Sequence, residues 1–327
     1  MKKGLLLINL GTSEQPTTGA IRRYLRPFLT DKRVITLPRL LRTILVYGLI
    51  LPFRPKRLVT AYKSIWTDQG SPLMVYSQAL LEALQKRLEG SYVVALGMRY
   101  GKPELSQALE SLKNCDTLTI LPLYPQYASS ASGSAVEAAL MHLQTWDVIP
   151  HLRVIRDFYQ HQIFIQALSQ KIKPYLDEET FVLFSYHGLP KNHLTTSDCS
   201  HCETPCTIRN TRCYRAQCYE TTRLVAQSLQ LKETQFQTSF QSRLGRTPWI
   251  QPYTTETLPA LAARGIKKLV VACPSFVADC LETLEEIGEQ ANEQWQELTG
   301  HSLSLVPCLN NDPLFVETIL SLIGEKL

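Results

Sequence analysis

No apolar run in this chain approaches the roughly 20 residues that a membrane-spanning helix needs. The most lipid-like stretch, residues 43–53, stops well short of it. A signal peptide is not expected either, because the short apolar run at 4–10 opens directly into Gly11-Thr12. Strong charge of one sign is also missing. The 34 Lys and Arg against 29 Asp and Glu leave a formal net charge of +5, and without a nucleic-acid-binding motif that excess gives no reason to expect nucleic acid as a partner. The first strand-like run lacks a G-x-G-x-x-G loop and continues as Gly11-Thr12-Ser13-Glu14-Gln15-Pro16, which argues against a dinucleotide-dependent dehydrogenase. Nine cysteines without an export signal argue against a disulfide framework.

What is present is a regular alternation. Strand-like apolar runs at 4–10, 92–96, 117–121, 180–184, 237–240 and 268–272 are separated by helical patterns, the signature of α/β folds with parallel sheets covered by helices. A length of 327 residues suits two domains. The second three runs resemble the first three in order: G-L-L-L-I-N-L-G at 4–11 with F-V-L-F-S-Y-H-G at 181–188, A-L-G-M-R-Y-G-K-P at 95–103 with S-F-Q-S-R-L-G-R-T-P at 239–248, and T-L-T-I-L-P-L-Y at 117–124 with K-L-V-V-A-C-P-S-F at 268–276. This predicts two α/β halves of one design facing each other across a cleft. The first half is expected over 1–158, the second over 159–308, and the last helix, within 309–327, is expected to pack back on the first.

Chemistry concentrates where such strands end. His187 lies in F-S-Y-H-G-L-P, at the carboxyl end of a strand, where open α/β sheets place their sites, and Gly188 and Pro190 mark a tight turn around it. Residues 273–286 read C-P-S-F-V-A-D-C-L-E-T-L-E-E; a helix starting near Val277 would set Asp279, Glu282, Glu286 and Glu289 along one face. A solvated acidic face is the ordinary reading of such a stripe, but its start at a strand end favours a functional Glu282. A histidine and a carboxylate converging in a cleft suit divalent metal binding, acid–base work, or both. Arg99-Tyr100, Tyr124 to Tyr127, and Gln241-Ser242-Arg243 followed by Trp249 end other strands. These are groups that stack on planar rings and pair carboxylates.

Residues 20–63 carry eleven Lys or Arg against one acid, Asp31, so an anionic partner is expected near this segment. Within it, residues 43–53 are expected as a buried helix, with an apolar lip touching lipid or admitting a greasy ligand as the functional alternative.

M-R-Y-G, Y-P-Q-Y with the later S-G-S at 132–134, F-S-Y-H-G-L-P, F-Q-S-R-L-G with P-W, and A-D-C-L-E-T-L-E-E, in this order along the chain, resemble the ferrochelatases, and the resemblance runs from Leu7 to about Pro313. The resemblance implies two Rossmann-like halves without a nucleotide, a porphyrin cleft between them, and insertion of Fe(II) into protoporphyrin IX with release of two protons, the terminal step of haem biosynthesis and a lyase reaction. It places His187 and Glu282 as the catalytic and iron-binding pair, Asp279 and Glu286 on an acidic path, and Leu10, Arg99, Tyr100, Tyr124 and Trp249 against the porphyrin. His187 is expected to accept pyrrole protons. Cys280 departs from the pattern, since many members have histidine there, and this puts the details of metal delivery in question. Ferrous iron and porphyrin are the expected partners, in the cytoplasm and peripherally at the inner membrane face through residues 43–53. Coproporphyrin III as substrate, and a related chelatase inserting cobalt or nickel, remain alternatives, as does a haem carrier or iron–sulfur sensor without turnover.

Cys199, Cys202, Cys206, Cys213 and Cys218 form C-x2-C-x3-C-x6-C-x4-C in a polar stretch, a spacing that can converge on zinc or an iron–sulfur cluster. Some microbial ferrochelatases carry a [2Fe–2S] cluster, so the resemblance tips the choice to that cluster, with zinc as the alternative. The first four cysteines are the expected ligands, and Cys218 reads as part of the following helix.

Overall fold

Leu5, Leu6, Leu7 and Ile8 follow one another in β1 (Lys3–Asn9), all shut off from solvent. An unbroken buried run of this kind belongs to a parallel strand covered on both faces. The structure is a computed structural model and describes residues 1–194, 211–245 and 247–325. β1 pairs with β2 (Tyr92–Met98) and β3 (Thr117–Pro122), and β3 pairs with β4 (His151–Val154), giving a parallel sheet of order β2-β1-β3-β4. A second parallel sheet of order β6-β5-β7-β8 is built from β5 (Phe181–His187), β6 (Phe236–Gln241), β7 (Leu269–Ala272) and β8 (Ser304–Leu305).

The two sheets belong to two units, Met1–Tyr124 with Ala128–Asp157, and Pro125–Tyr127 with Phe158–Leu327. Each has its own core. In the first, Leu6, Ile8, Leu118 and Ile120 pack with Ala135, Ala139 and Leu143 of the helix Ser134–Leu143; in the second, Phe181, Leu183, Leu269 and Val271 pack with Leu258, Leu261 and Trp295. The repeat read from the sequence is present in the backbone. Strand order is the same in both sheets, and the bond from Met98 N to Pro103 O (2.8 Å) recurs as Phe240 N to Pro252 O (2.8 Å).

Two expectations are corrected. The last helix, Pro313–Ile323, packs within the second unit, where Phe158 meets Phe164 edge to face and Phe315 at a tilt, and Lys171 pairs with Asp312 at 3.0 Å. Its apolar face is therefore taken by the helix Gln162–Ile172. Residues 43–53 are helical, through Arg39–Ile44, a π-helical turn Leu45–Ile50 and Leu51–Ile65, but they are not buried. Only Val46 and Leu51 of that stretch face inward, while Ile44, Leu49 and Phe53 are exposed, as is the preceding Leu40 (72%).

Candidate active site

β5 runs three residues beyond the expected end and delivers His187 as its last residue. Ser275 Oγ accepts the His187 backbone N–H at 3.0 Å, and Tyr214 donates its hydroxyl to the His187 carbonyl at 2.8 Å, so both backbone groups are fixed. The ring lies 6.4 Å from that of Trp249 and 6.1 Å from that of Phe276. His187 Nδ1 is 2.5 Å from the Gly188 carbonyl oxygen. A carbonyl only accepts, so Nδ1 carries a proton, and in the neutral ring the lone pair then lies at Nε2. A base or metal ligand needs that tautomer.

Gln241 ties this histidine to the acidic segment. It sits opposite His187 in the β5–β6 register, and its carbonyl accepts from Gly188 N at 2.9 Å. Its side chain accepts from Ser185 Oγ at 2.8 Å and donates Nε2 to the Glu282 carbonyl at 2.6 Å and to Glu286 Oε2 at 3.2 Å. Ser242, with φ 66°, turns its N–H and hydroxyl onto the two oxygens of Glu286, both at 2.6 Å. Glu282 itself lies half-buried in the single helical turn Leu281–Leu284. Burial lifts the Glu285 carboxyl above its usual range, and the charges of Glu289, Glu286 and Glu282 add to the effect.

The expected acidic stripe does not form. The helix starts at Leu281, four residues later than predicted, so Asp279 lies in the preceding loop. Its buried carboxylate is occupied by Cys308 N (3.0 Å), Asn310 Nδ2 (2.8 Å) and, more distantly, Thr283 Oγ1 (3.4 Å), which makes it a brace for the loop. A π-helical turn at Glu286–Ala291 then shifts the helical phase of the residues beyond it.

In the first unit the expected ligand-facing groups converge on Asp31. Its Oδ2 accepts from Arg99 Nη2 (2.7 Å), Tyr100 Oη (2.8 Å) and Ser134 Oγ (2.5 Å), and its Oδ1 from Arg33 N (2.7 Å). Burial pushes the Asp31 carboxyl up, but the bonds from Ser134, Arg33 and Tyr100 and the Arg99 charge outweigh it and hold the group below the usual carboxylate range. Tyr100 is buried by this arrangement. The Tyr124 hydroxyl is buried and has no hydrogen-bond partner among the described residues, and burial pushes its ionisation well up. Leu10, just past β1, is half-buried; its N–H bonds Asn9 Oδ1 (2.8 Å) and its carbonyl accepts from Tyr100 N (2.9 Å). Gly11 follows at φ 98°, where an added Cβ would stand 1.7 Å from the Tyr100 carbonyl oxygen.

The family model described as Ferrochelatase matches residues 2–327. The chain belongs to the ferrochelatase family. A ferrochelatase of Legionella pneumophila is 53% identical with both chains covered in full, and one of Coxiella burnetii is 46% identical over 100% of this chain and 94% of the relative. Among solved structures, SirB from Bacillus subtilis with Fe3+ superposes with a TM-score of 0.58 at 10% identity, over 99% of this chain and 94% of the other; at that identity it supports the fold alone.

Family membership gives the departures their weight. Cys280, the departure noted in the resembling motif, caps the turn that carries Glu282, and it is buried. Burial lifts its thiol well above the usual range, as does the Glu282 charge beside it, so it stays a neutral thiol. Cys199, Cys202 and Cys206 lie outside the described residues. Cys213 is buried at the start of the helix Tyr214–Ser228, and Cys218 is buried inside that helix, with burial holding its thiol neutral. Among the described residues no group of three or more His, Cys, Asp or Glu is placed to hold a metal ion. Sequence reasoning named His187 and Glu282 but missed Gln241 as their link and Asp31 as an organising group. F-Q-S-R and S-G-S were the available signals.

Proposed function

We propose that the protein inserts Fe(II) into protoporphyrin IX, releasing two pyrrole protons and forming protohaem, as a lyase of haem biosynthesis. The carrying observation is the His187 tautomer: Nδ1–H is spent on Gly188 O, so Nε2 is left to accept a pyrrole proton. Glu282, fixed through its carbonyl by the same Gln241 that pairs with His187, is the second member of the iron-handling pair. Iron is a substrate here, which agrees with a pair of ligands in place of a closed cage. Glu286, held by Ser242 and Gln241, adds a fixed negative charge near Glu282 that would attract the incoming cation. Leu10, Arg99, Tyr100, Tyr124 and Trp249 are assigned to the porphyrin by the family resemblance, and the Tyr100 ring also lies under the Arg99 guanidinium. Asp279 supports the loop and is not assigned to an iron path.

The cytoplasm, with peripheral contact at the inner membrane face, is the location that fits an apolar, basic-flanked helix exposed at residues 40–53 and no described helix long and apolar enough to cross a membrane. The cysteine set Cys199, Cys202, Cys206 and Cys213 is assigned to a [2Fe–2S] cluster, with zinc as the alternative. Only Cys213 is among the described residues, and no chemical step is routed through that group.

The test is a turnover assay of purified protein with Fe(II) and protoporphyrin IX, run beside coproporphyrin III and Co(II). Haem formation fastest with Fe(II) and protoporphyrin IX is the expected result. Absence of metal insertion overturns the reading, and preference for coproporphyrin III or Co(II) corrects the substrate. An anaerobic visible spectrum with iron and zinc analysis tests the cysteine assignment.

A further inference from the structure

Asp31 is the one acid among eleven basic residues in 20–63, and it stands at the carboxyl end of the helix Thr18–Thr30. Neither fact favours a carboxylate for local reasons. A negative charge at a helix carboxyl terminus opposes the macrodipole, and an anionic partner of the basic stretch would be repelled by it. The explanation lies in what it holds. One oxygen, Oδ2, gathers Arg99, Tyr100 and Ser134, while Ser134 Oγ also accepts from Arg99 Nε at 2.7 Å. The guanidinium further lies 4.5 Å over the Tyr100 ring. Arg99 is thus gripped through Nε and Nη2 and by its flat face, with its side chain still 24% exposed against 5% for Asp31. A fork held at two nitrogens has one remaining edge, at Nη1, and that edge has a single orientation.

We infer that Asp31 is a positioning residue of the porphyrin site: with Ser134 it orients Arg99 so that the remaining guanidinium edge meets a carboxylate of the tetrapyrrole. This rests on the porphyrin reading above. Asp31 acts through Arg99 and does not touch the substrate, whose carboxylate it would repel. Ordering Arg99 beforehand lowers the entropic cost of binding, so the effect belongs in porphyrin affinity and KM more than in kcat.

The experiment measures protoporphyrin IX binding by fluorescence quenching, together with KM and kcat for Fe(II) insertion, in wild type, Asp31→Asn, Ser134→Ala, Arg99→Gln and the Asp31→Asn/Arg99→Gln double variant. Asp31→Asn is expected to weaken porphyrin binding and raise KM about tenfold with a smaller change in kcat, and Ser134→Ala to do so by less. The double variant should bind no worse than Arg99→Gln alone, because the second substitution removes the group through which the first acts. It also removes both charges at once, so it guards against an unpaired buried guanidinium destabilising the single variant. Porphyrin binding within about twofold of wild type in Asp31→Asn, or multiplied losses in the double variant, overturns the inference. Wild-type protein that binds protoporphyrin but forms no haem fails the iron-insertion reading instead, and the binding measurements still decide the role of Asp31.

Discussion

The two sheets share strand order and backbone bonds, yet they spend their strand ends differently. After β2 in the first unit, Arg99 and Tyr100 are locked onto Asp31 and Ser134, and the polar groups satisfy one another. At the end of β5 in the second, His187 is fixed through its backbone and Nδ1, which leaves Nε2 available for chemistry. The same strand order thus ends, in one unit, in polar groups fixed against one another and, in the other, in a histidine anchored through its backbone and one ring nitrogen. Preorganisation serves both, since an oriented group loses less freedom when its ligand arrives.

The sharpest way to break this comparison is to remove the base. His187→Ala is expected to lower kcat for iron insertion by about 10²- to 10⁴-fold, the usual contribution of a positioned acid or base. Porphyrin binding should change far less. Near-normal turnover in a purified assay would show that proton removal is handled elsewhere, and the contrast between the units would lose its chemical meaning.

The next effect compares the paired glycines that follow the first strand of each unit. Gly11 has φ 98°, and an added Cβ would stand 1.7 Å from Tyr100 O; the equivalent Cβ on Gly188 would stand 2.7 Å from Gln241 O. Both obstacles are backbone, so neither can swing aside. Gly11→Ala combines a left-handed conformation with the closer clash and should cost ~3 kcal/mol or more in denaturant unfolding, against roughly 1–3 kcal/mol for Gly188→Ala. The smaller loss should carry the larger chemical penalty. Gly188 O holds the His187 tautomer, so moving it should lower kcat, whereas Gly11→Ala should act first on stability. Equal stability costs would mean that the two turns are less different than their geometry.

The layout of these strand ends was legible in the residues because parallel strands buried on both faces read as continuous apolar runs, and G, P and aromatic punctuation marks their ends. The β1 and β5 runs, and His187 after the second, are explained by that. The acidic stripe was misread because periodicity fixes a helical face only if the helix start is known. The loop carrying Asp279 is stabilised by Cys308 and Asn310, about thirty residues away, which no local pattern reports. Asp31 was invisible for the same reason: its partners Arg99 and Ser134 are 68 and 103 positions distant. Burial of the helix at 43–53 was expected from hydrophobicity alone, which does not say whether an apolar surface meets protein or solvent.

That last helix gives the smallest expected effect on folding. Leu40, Ile44, Leu49 and Phe53 are all more than half exposed, and Arg39, Arg42, Arg54, Lys56 and Arg57 flank them. Replacing the four with Ser or Gln removes little native packing, so each change should move stability by no more than about 0.5 kcal/mol. If the face enters a lipid surface, each large side chain is worth roughly 1.5–3 kcal/mol of burial there, and the basic flanks add attraction for anionic headgroups. Co-sedimentation with vesicles of phosphatidylglycerol and phosphatidylethanolamine should therefore be strong for wild type, weaker at high salt, and lost in the fourfold variant while its melting temperature stays close to wild type. Unchanged vesicle binding in that variant would move any membrane contact off this face. A large fall in melting temperature would show instead that the exposed side chains are packed against protein.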